Sequence, residues 1–546
     1  MKKTILIFAI AAATAVSATA TEQWTLQGNA YSVDTVYHAK IGPGTTQTTL
    51  QLTGSSNLMV YYTTTDLTDQ YADIRVLKGN NRVGGAALEK LSSMTERNSR
   101  EGARYFAGIN ADFFNWSSGL SEGPVVVDNE IFYGRPVNFV VNWYMDNDKK
   151  PHFGNFVLTG NVTFSPTDAS LGERTFELGG VNSAPQGSSF IVFTERNPDK
   201  AGVNADGTND IAVVPVEGSL SYNGTVRCRV VTPATSENIT VPEGGFILSA
   251  VLGRQDRRYF EKLVAGDIVT ITTTSQFDGN GIAQMACGRP RLLKDGVIQK
   301  ADIDNLAAGE ALGHLKNNEP RTAIGLNADA TKVTLLVVDG RRSQSVGCTG
   351  WLLADIISHV GCTDAMNFDG GGSSELYTTP LGIRNRPTDG TERAVVNGVW
   401  AVSTAPDDDN IAAVAFADRN LTIDALKQYT PTIYAYNQYG VLIDTDVKDY
   451  TLSCPSALGT ISDDGKTFTA TGSGYHALTV NVGGHTATIA VTVNGNGGIG
   501  DITAGDDSDK PVEYYNLNGV RISGDSLAPG IYIRRQGAKV EKVVVK

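Results

Sequence analysis

Cysteine and histidine are both scarce in this 546-residue chain. The five cysteines (Cys228, Cys287, Cys348, Cys362 and Cys454) are an odd set, so at least one cannot pair within the chain. None stands in the CxxC spacing of a zinc site. The six histidines show no HxH or HxxxH spacing, which argues against a two-metal centre. No EF-hand-type loop is present, although Asp side chains and backbone oxygens leave room for a structural Ca²⁺. Positive charge is in deficit: Lys+Arg number 45 against 58 Asp+Glu, a net −13. So acidic a chain has no electrostatic footprint for nucleic acid, and an anionic ligand would need a local basic cluster. Beyond the N-terminus no apolar run is long enough to span a bilayer. Helical periodicity is also rare.

What is present divides the chain into segments. Met1-Lys2-Lys3, an apolar run from Thr4 to Val16 and then Ser17-Ala18-Thr19-Ala20 read as a secretory signal peptide cleaved near Ala20. The expected product is exported: periplasmic, at the cell surface or secreted. Residues 21–405 are dominated by short β-branched and aromatic runs between Gly, Asn and Asp. Three helical patterns interrupt them: Ala86 to Arg100, Ile303 to Leu315 and Thr349 to Val360. The expected fold class is α+β, a β-rich mixed sheet carrying few helices. From 406 to 495 strands alternate with Asn-Gly-Asp turns and resemble a bacterial Ig-like β-sandwich. A Gly- and Asp-rich linker follows over 496–511. Residues 512–546 resemble the small C-terminal β-module that serves as a type IX secretion sorting signal, which would make the export machinery a partner. A plain terminal hairpin is the other reading of those residues.

Cys348 and Cys362 bracket the third helical pattern. About eleven residues at about 1.5 Å each separate them by roughly 17 Å, whereas a disulfide needs Cα atoms within about 7 Å. Both are expected to be reduced and buried.

Chemistry concentrates where apolar strands end. Asn367-Phe368-Asp369-Gly370-Gly371-Gly372-Ser373 finishes such a run on a carboxylate and three glycines. Consecutive glycines carry an entropic cost that positive φ or a close approach can offset. Glu319-Pro320-Arg321-Thr322 begins another strand, and Val338-Asp339-Gly340-Arg341-Arg342 ends a third. Gly108-Ile109-Asn110-Ala111-Asp112-Phe113-Phe114 joins a strand to polar groups and two aromatics. Arginine suits a phosphate because its planar fork donates two parallel hydrogen bonds. Taken singly, each segment reads equally as a tight turn or a surface ion pair.

Taken in order, they resemble the phosphodiester glycosidase family. The resemblance rests on Arg321-Thr322-Ala323-Ile324-Gly325, Asp339-Gly340, Asn367 to Ser373, Asn110-Ala111-x-Phe113-Phe114 with Ser118-Gly119 and Gly123, and the closing Arg393-Ala394-Val395. It spans residues 100–405. Asp112 departs from it, since the family usually has glycine there, and so does Leu326-Asn327. The resemblance implies hydrolysis of a sugar-1-phosphodiester at the anomeric C–O bond, with no cofactor required. It implies Asp369, with Asp339 as the second carboxylate and Arg321, as the catalytic group. Asn110, Asp112, Arg341, Asn367, Gly370, Gly371, Gly372, Ser373 and Arg393 are the expected substrate contacts, with the arginines on phosphate. The competing expectation is a carbohydrate-binding or adhesin-like surface protein without catalysis.

Overall fold

The computed structural model describes residues 22–494 and 510–545, apart from short stretches at 86, 136, 138–139, 186, 202, 204, 310–312, 473, 518, 525–526 and 538. The signal-peptide segment and most of the linker lie outside the described residues. The chain divides into two units: residues up to Ala413 with Tyr434–Thr445, and Val414–Ile433 with Asp446–Lys546. Among the described residues no helix is long and apolar enough to cross a membrane. The fold is α+β and dominated by strands, as composition and spacing lead one to expect.

The first unit is organised around a nine-stranded sheet. Its middle runs Asn57–Asp66, Lys332–Val338, Arg321–Leu326, Asp364–Asn367 and Arg291–Lys294, each antiparallel to its neighbour. Both faces of this sheet are covered. Ala323, Leu336 and Val338 pack with Leu353, Ile356 and Ile357 of the helix Gly350–His359. The alternate residues Ile324, Leu335, Val337 and Met366 pack with Ile74, Ile109 and Val399 of a second sheet. Double coverage explains why Val333–Val338 is an unbroken apolar run instead of an alternating one. The helix is capped as its sequence suggests, with Thr349 accepting from the Leu352 N–H and Gly361 at φ +98° past its end. Cys348 and Cys362 are buried free thiols.

The second sheet orders Gly382–Ile383, Leu376–Thr378, Arg104–Asn110, Asn397–Ser403 and Ala72–Lys78. A closed seven-stranded barrel spans residues 159–274. Its strands enclose an aromatic cluster in which Phe164 and Phe190 lie 4.8 and 5.4 Å from Phe260. Phe260 comes from the helix Arg254–Phe260, which the sequence does not announce because five of its seven residues are polar. The first expected helix is shorter than its pattern, Leu91–Asn98.

In the second unit, Asn420–Asp424 pairs parallel with His485–Asn494, which pairs antiparallel with Gly474–Val482. Leu478, Val480, Ile489 and Val491 are buried there. Residues 512–545 carry a four-stranded sheet ordered Arg521–Ile522, Val512–Tyr515, Gly530–Gln536, Lys539–Val545.

Candidate active site

Strand direction assembles the site. Arg321–Leu326 runs antiparallel to both Lys332–Val338 and Asp364–Asn367, with Arg321 opposite Val338 and Ala323 opposite Asn367. The ends of the two outer strands therefore meet the start of the middle one. Asp339 and Asp369 emerge at one edge of the sheet, on either side of Arg321. Asn110, the last residue of Arg104–Asn110, reaches the same edge from the second sheet. Its amide donates to the Asp369 carbonyl at 2.7 Å, and its Oδ1 accepts from Thr322 Oγ1 at 2.9 Å and the Glu375 N–H at 3.2 Å. Asn110 is thus a clamp between sheets, with its side chain spent on protein.

The Asp369 turn is held from behind. The Asp369 N–H donates to the Ala111 carbonyl at 2.8 Å, and the Gly371 N–H to the Pro320 carbonyl at 2.9 Å. The Gly370 N–H donates to Asp369 Oδ1 at 2.9 Å. Burial pushes this carboxyl up to about 6, with the nearby Glu122 adding to the rise, while the Ser373 hydroxyl, the Gly370 N–H and the Arg393 guanidinium oppose it. Part of the Asp369 residue still reaches solvent.

The glycines are needed. Gly371 has φ +65°, which a side chain disfavours. A Cβ on Gly372 would lie 1.8 Å from Nη2 of Arg393, and one on Gly371 would lie 3.4 Å from Nη2 of Arg341. Two guanidiniums therefore pack directly on the turn that carries Asp369. Arg393 is fixed by Asp389, at 2.7 Å through Nε and 2.5 Å through Nη2, and reaches Ser373 Oγ at 3.4 Å. Arg341 pairs with Glu319 at 2.6 Å and is about half exposed. Anion-binding groups and a raised carboxyl share one turn.

Other expected residues are brought to this edge but face inward. Arg321 is 1% exposed, and its guanidinium donates to the carbonyls of Cys348 at 3.0 Å and Asn317 at 2.9 Å. Burial lowers its pKa. Asp339, also 1% exposed, accepts from Asn385 Nδ2 at 3.0 Å, from the Arg386 N–H at 3.1 Å and from Arg342. Asn385 in turn donates to the Ser374 carbonyl at 3.0 Å, so Asp339 braces the far side of the glycine turn. Asp112 is buried, accepts from the Cys287 N–H at 2.8 Å and is pushed up to about 6 by burial. Asn367 is buried too, donating to the Arg289 carbonyl at 2.8 Å. Ser373 is buried between Asp369 and Arg393.

The structure adds residues that the motifs do not single out. Arg289, buried beside Asn367, pairs with Glu122 at 2.8 Å and lies 5.5 Å from the Phe113 ring centroid. Trp116, 61% exposed, carries the Arg393 guanidinium 5.2 Å from its centroid. Buried Glu375 and partly buried Glu392 form a carboxyl pair one residue from Ser374 and Arg393 respectively. Burial, then the Glu392 charge, pushes Glu375 up to about 9. The turn-forming Asn115 and Ser117-Ser118-Gly119 around it were the available signal for Trp116. Nothing local signals the pairing of residues 375 and 392. Among the described residues no group of three or more His, Cys, Asp or Glu could hold a metal ion.

Packed sheets thus set a carboxylate and two guanidiniums on one glycine turn. The profile of the phosphodiester glycosidase (NAGPA) family matches residues 212–402, which contain Arg321, Asp339, Asp369 and Arg393. That segment of the chain is similar to the family its motifs resemble. The SPbeta prophage-derived uncharacterized protein YomE of Bacillus subtilis is 40% identical over 95 residues, 17% of this chain and 14% of that protein. The chain therefore spans only a small part of the length of that relative. An exported protein of Burkholderia pseudomallei K96243 has a similar fold, with TM-score 0.52, 15% identity and coverage of 70% of this chain and 98% of that one. The zebrafish N-acetylglucosamine-1-phosphodiester alpha-N-acetylglucosaminidase catalytic domain, auto-inhibited by its pro-peptide, aligns at TM-score 0.32 and 13% identity, over 68% of this chain and 87% of that domain.

Proposed function

We propose that this protein is an exported hydrolase that cleaves the anomeric C–O bond of a sugar-1-phosphodiester, GlcNAc-1-phosphodiester-like, releasing free sugar and a phosphomonoester. One observation carries the reading: Arg341 and Arg393 pack on Gly371 and Gly372 of the turn whose first residue is Asp369. The leader over residues 1–20 supports export.

The chemistry follows from the leaving group. Ordinary glycosidases use two carboxyls because an alkoxide must be protonated as it departs. A phosphodiester is already a good leaving group and needs charge stabilisation, which preorganised donors supply best in a water-poor cleft. Arg393, with Arg341 beside it, holds the phosphate. Asp369 either attacks the anomeric carbon or takes a proton from the attacking water. In both routes a water oxygen ends on the sugar carbon with one of its protons, the anomeric C–O pair departs on the phosphate, and the other water proton passes, by way of Asp369 where it acts as base, to solvent or the phosphomonoester. The glycines let the guanidiniums approach the turn that carries Asp369. Asp339, Asn110 and Arg321 hold the turn, since their polar groups are engaged by protein.

The test is turnover of UDP-GlcNAc and GlcNAc-1-phosphodiesters in ¹⁸O-water. Label in the free sugar is the expected outcome. Label in the phosphate overturns C–O cleavage, and no turnover of any sugar phosphodiester favours the carbohydrate-binding alternative.

A further inference from the structure

Trp116 stands out among the aromatic residues. It is 61% exposed, whereas Phe113 on the same segment is buried. Its hairpin, Phe114–Asn115 against Leu120–Ser121, is not a loose loop. Asn115 Oδ1 accepts from the N–H groups of Ser117 at 2.9 Å and Ser118 at 3.0 Å and from Ser117 Oγ at 2.7 Å. The Gly119 N–H donates to the Asn115 carbonyl at 2.8 Å, and the Gly85 N–H ties the tip to the body through the Ser118 carbonyl at 2.7 Å. The Phe114 ring backs the indole, 4.8 Å between centroids. A large apolar side chain held rigidly in water is the pattern of a recognition surface.

Its position gives the surface a direction. Asp369 is hydrogen-bonded to Ser373, Ser373 accepts from Arg393, and the Arg393 guanidinium lies 5.2 Å from the indole centroid, within cation–π reach. Arg393 thus stands between the carboxylate and the tryptophan. With the sugar at Asp369 and the phosphate at Arg393, whatever is esterified to the far side of that phosphate meets Trp116. We infer that Trp116 is a stacking platform for the leaving group, and that the preferred substrates are sugar-1-phosphodiesters whose leaving phosphomonoester carries a ring with a flat face on its esterified alcohol. This rests on the phosphodiester glycosidase reading of the site. A pyranose and a nucleoside both offer such a face, and they share the same requirement at Trp116.

The test uses the full chain, its Trp116→Ala and Trp116→Phe variants, and three esters of one sugar 1-phosphate. One ester is with methanol, one with the primary hydroxyl of a hexopyranose, and one with the 5′-hydroxyl of a nucleoside. Trp116→Ala is expected to raise KM roughly tenfold for a ring-bearing ester with little change in kcat, and to leave the methyl ester within about twofold. Trp116→Phe should recover most of the loss. The ring-bearing ester that suffers more names the leaving group, saccharide or nucleotide. An equal loss on the methyl ester overturns the platform, because it would mean that Trp116 only positions Arg393. No loss on any ester overturns it as well. Failure of the unsubstituted protein to hydrolyse all three overturns the glycosidase reading and the platform with it.

Discussion

Asp339 and Asp369 begin as the same motif: an apolar strand, an aspartate, a glycine. The sheet sets them on either side of Arg321. Their surroundings then separate them. Asp339 accepts from a side-chain amide, a backbone N–H and a guanidinium, and is almost fully buried. Asp369 accepts from the next backbone N–H and a serine hydroxyl, part of the residue reaches solvent, and two guanidiniums pack on its turn. Burial raises both carboxyls, yet the partners differ in kind. Asp339 is surrounded by groups that the fold holds, whereas the Asp369 turn carries two partly exposed guanidiniums. On the proposed reading, a strand-end aspartate becomes catalytic through the groups its turn brings beside it.

The largest expected effect is that of Asp369→Asn. The amide keeps the shape and can still accept from the Gly370 N–H, but it neither attacks carbon nor takes a proton. Turnover should fall by at least about 10³-fold. Stability should not fall with it, and the sign can be worked out. A carboxyl raised to about 6 in the folded chain, against 3.8 unfolded, is favourable while both states are protonated. That advantage is lost as pH rises from about 4 through 6. At pH 7 ionised Asp369 therefore costs on the order of 1–3 kcal/mol, which asparagine removes. Thermal melts at pH 4 and pH 7 should show the variant gaining on the parent as pH rises. In the parent, kcat/KM should climb through about pH 6 as Asp369 ionises. Activity that survives the substitution breaks the comparison outright.

Asp339→Asn is the reciprocal experiment, with the effect moved from rate to stability. An amide nitrogen would face the donors of Arg342 or Arg386 and leave a buried group unpaired. Destabilisation of about 2–4 kcal/mol is expected, seen as a lower denaturation midpoint in urea. Activity per folded molecule should stay within about tenfold. Loss of all turnover at an unchanged midpoint would exchange the roles of the two aspartates.

How much of this was legible follows from sequence distance. Asn110, Asp369, the three glycines and Arg393 lie in compact motifs, and the fold brings them to one edge. The sheet's two-sided burial was readable in Val333–Val338. The difference between Asp339 and Asp369 was not, because it depends on Asn385 and Arg386, about 46 residues away from Asp339, and on Arg393 at Gly372. Arg321 looked free to bind phosphate because a sequence does not say that its guanidinium turns onto the carbonyls of Asn317 and Cys348. The barrel helix Arg254–Phe260 was hidden for another reason: its contribution to the core is a terminal Tyr259-Phe260 pair, too short to set a period.

The smallest expected effect probes the support behind the turn. Glu375 is buried one residue beyond Ser374, and Glu392, which accepts from the Ser92 N–H at 2.6 Å, precedes Arg393. Burial first and the Glu392 charge second push Glu375 up to about 9, so it stays protonated at neutral pH and can donate to Glu392. A raised carboxyl contributes stability that is complete below about 4.5 and is lost as pH rises toward 9. Glu375→Gln keeps a donor toward Glu392 and ionises in neither state. The variant should match the parent in urea at pH 5 and exceed it by on the order of 1–2 kcal/mol at pH 8.5. Because the pair borders the Asp369 turn without touching it, kcat should change less than threefold. If kcat instead drops as far as for Asp369→Asn, the functional carboxylates extend beyond the glycine turn, and the boundary between Asp369 and its scaffold must be redrawn to include this pair.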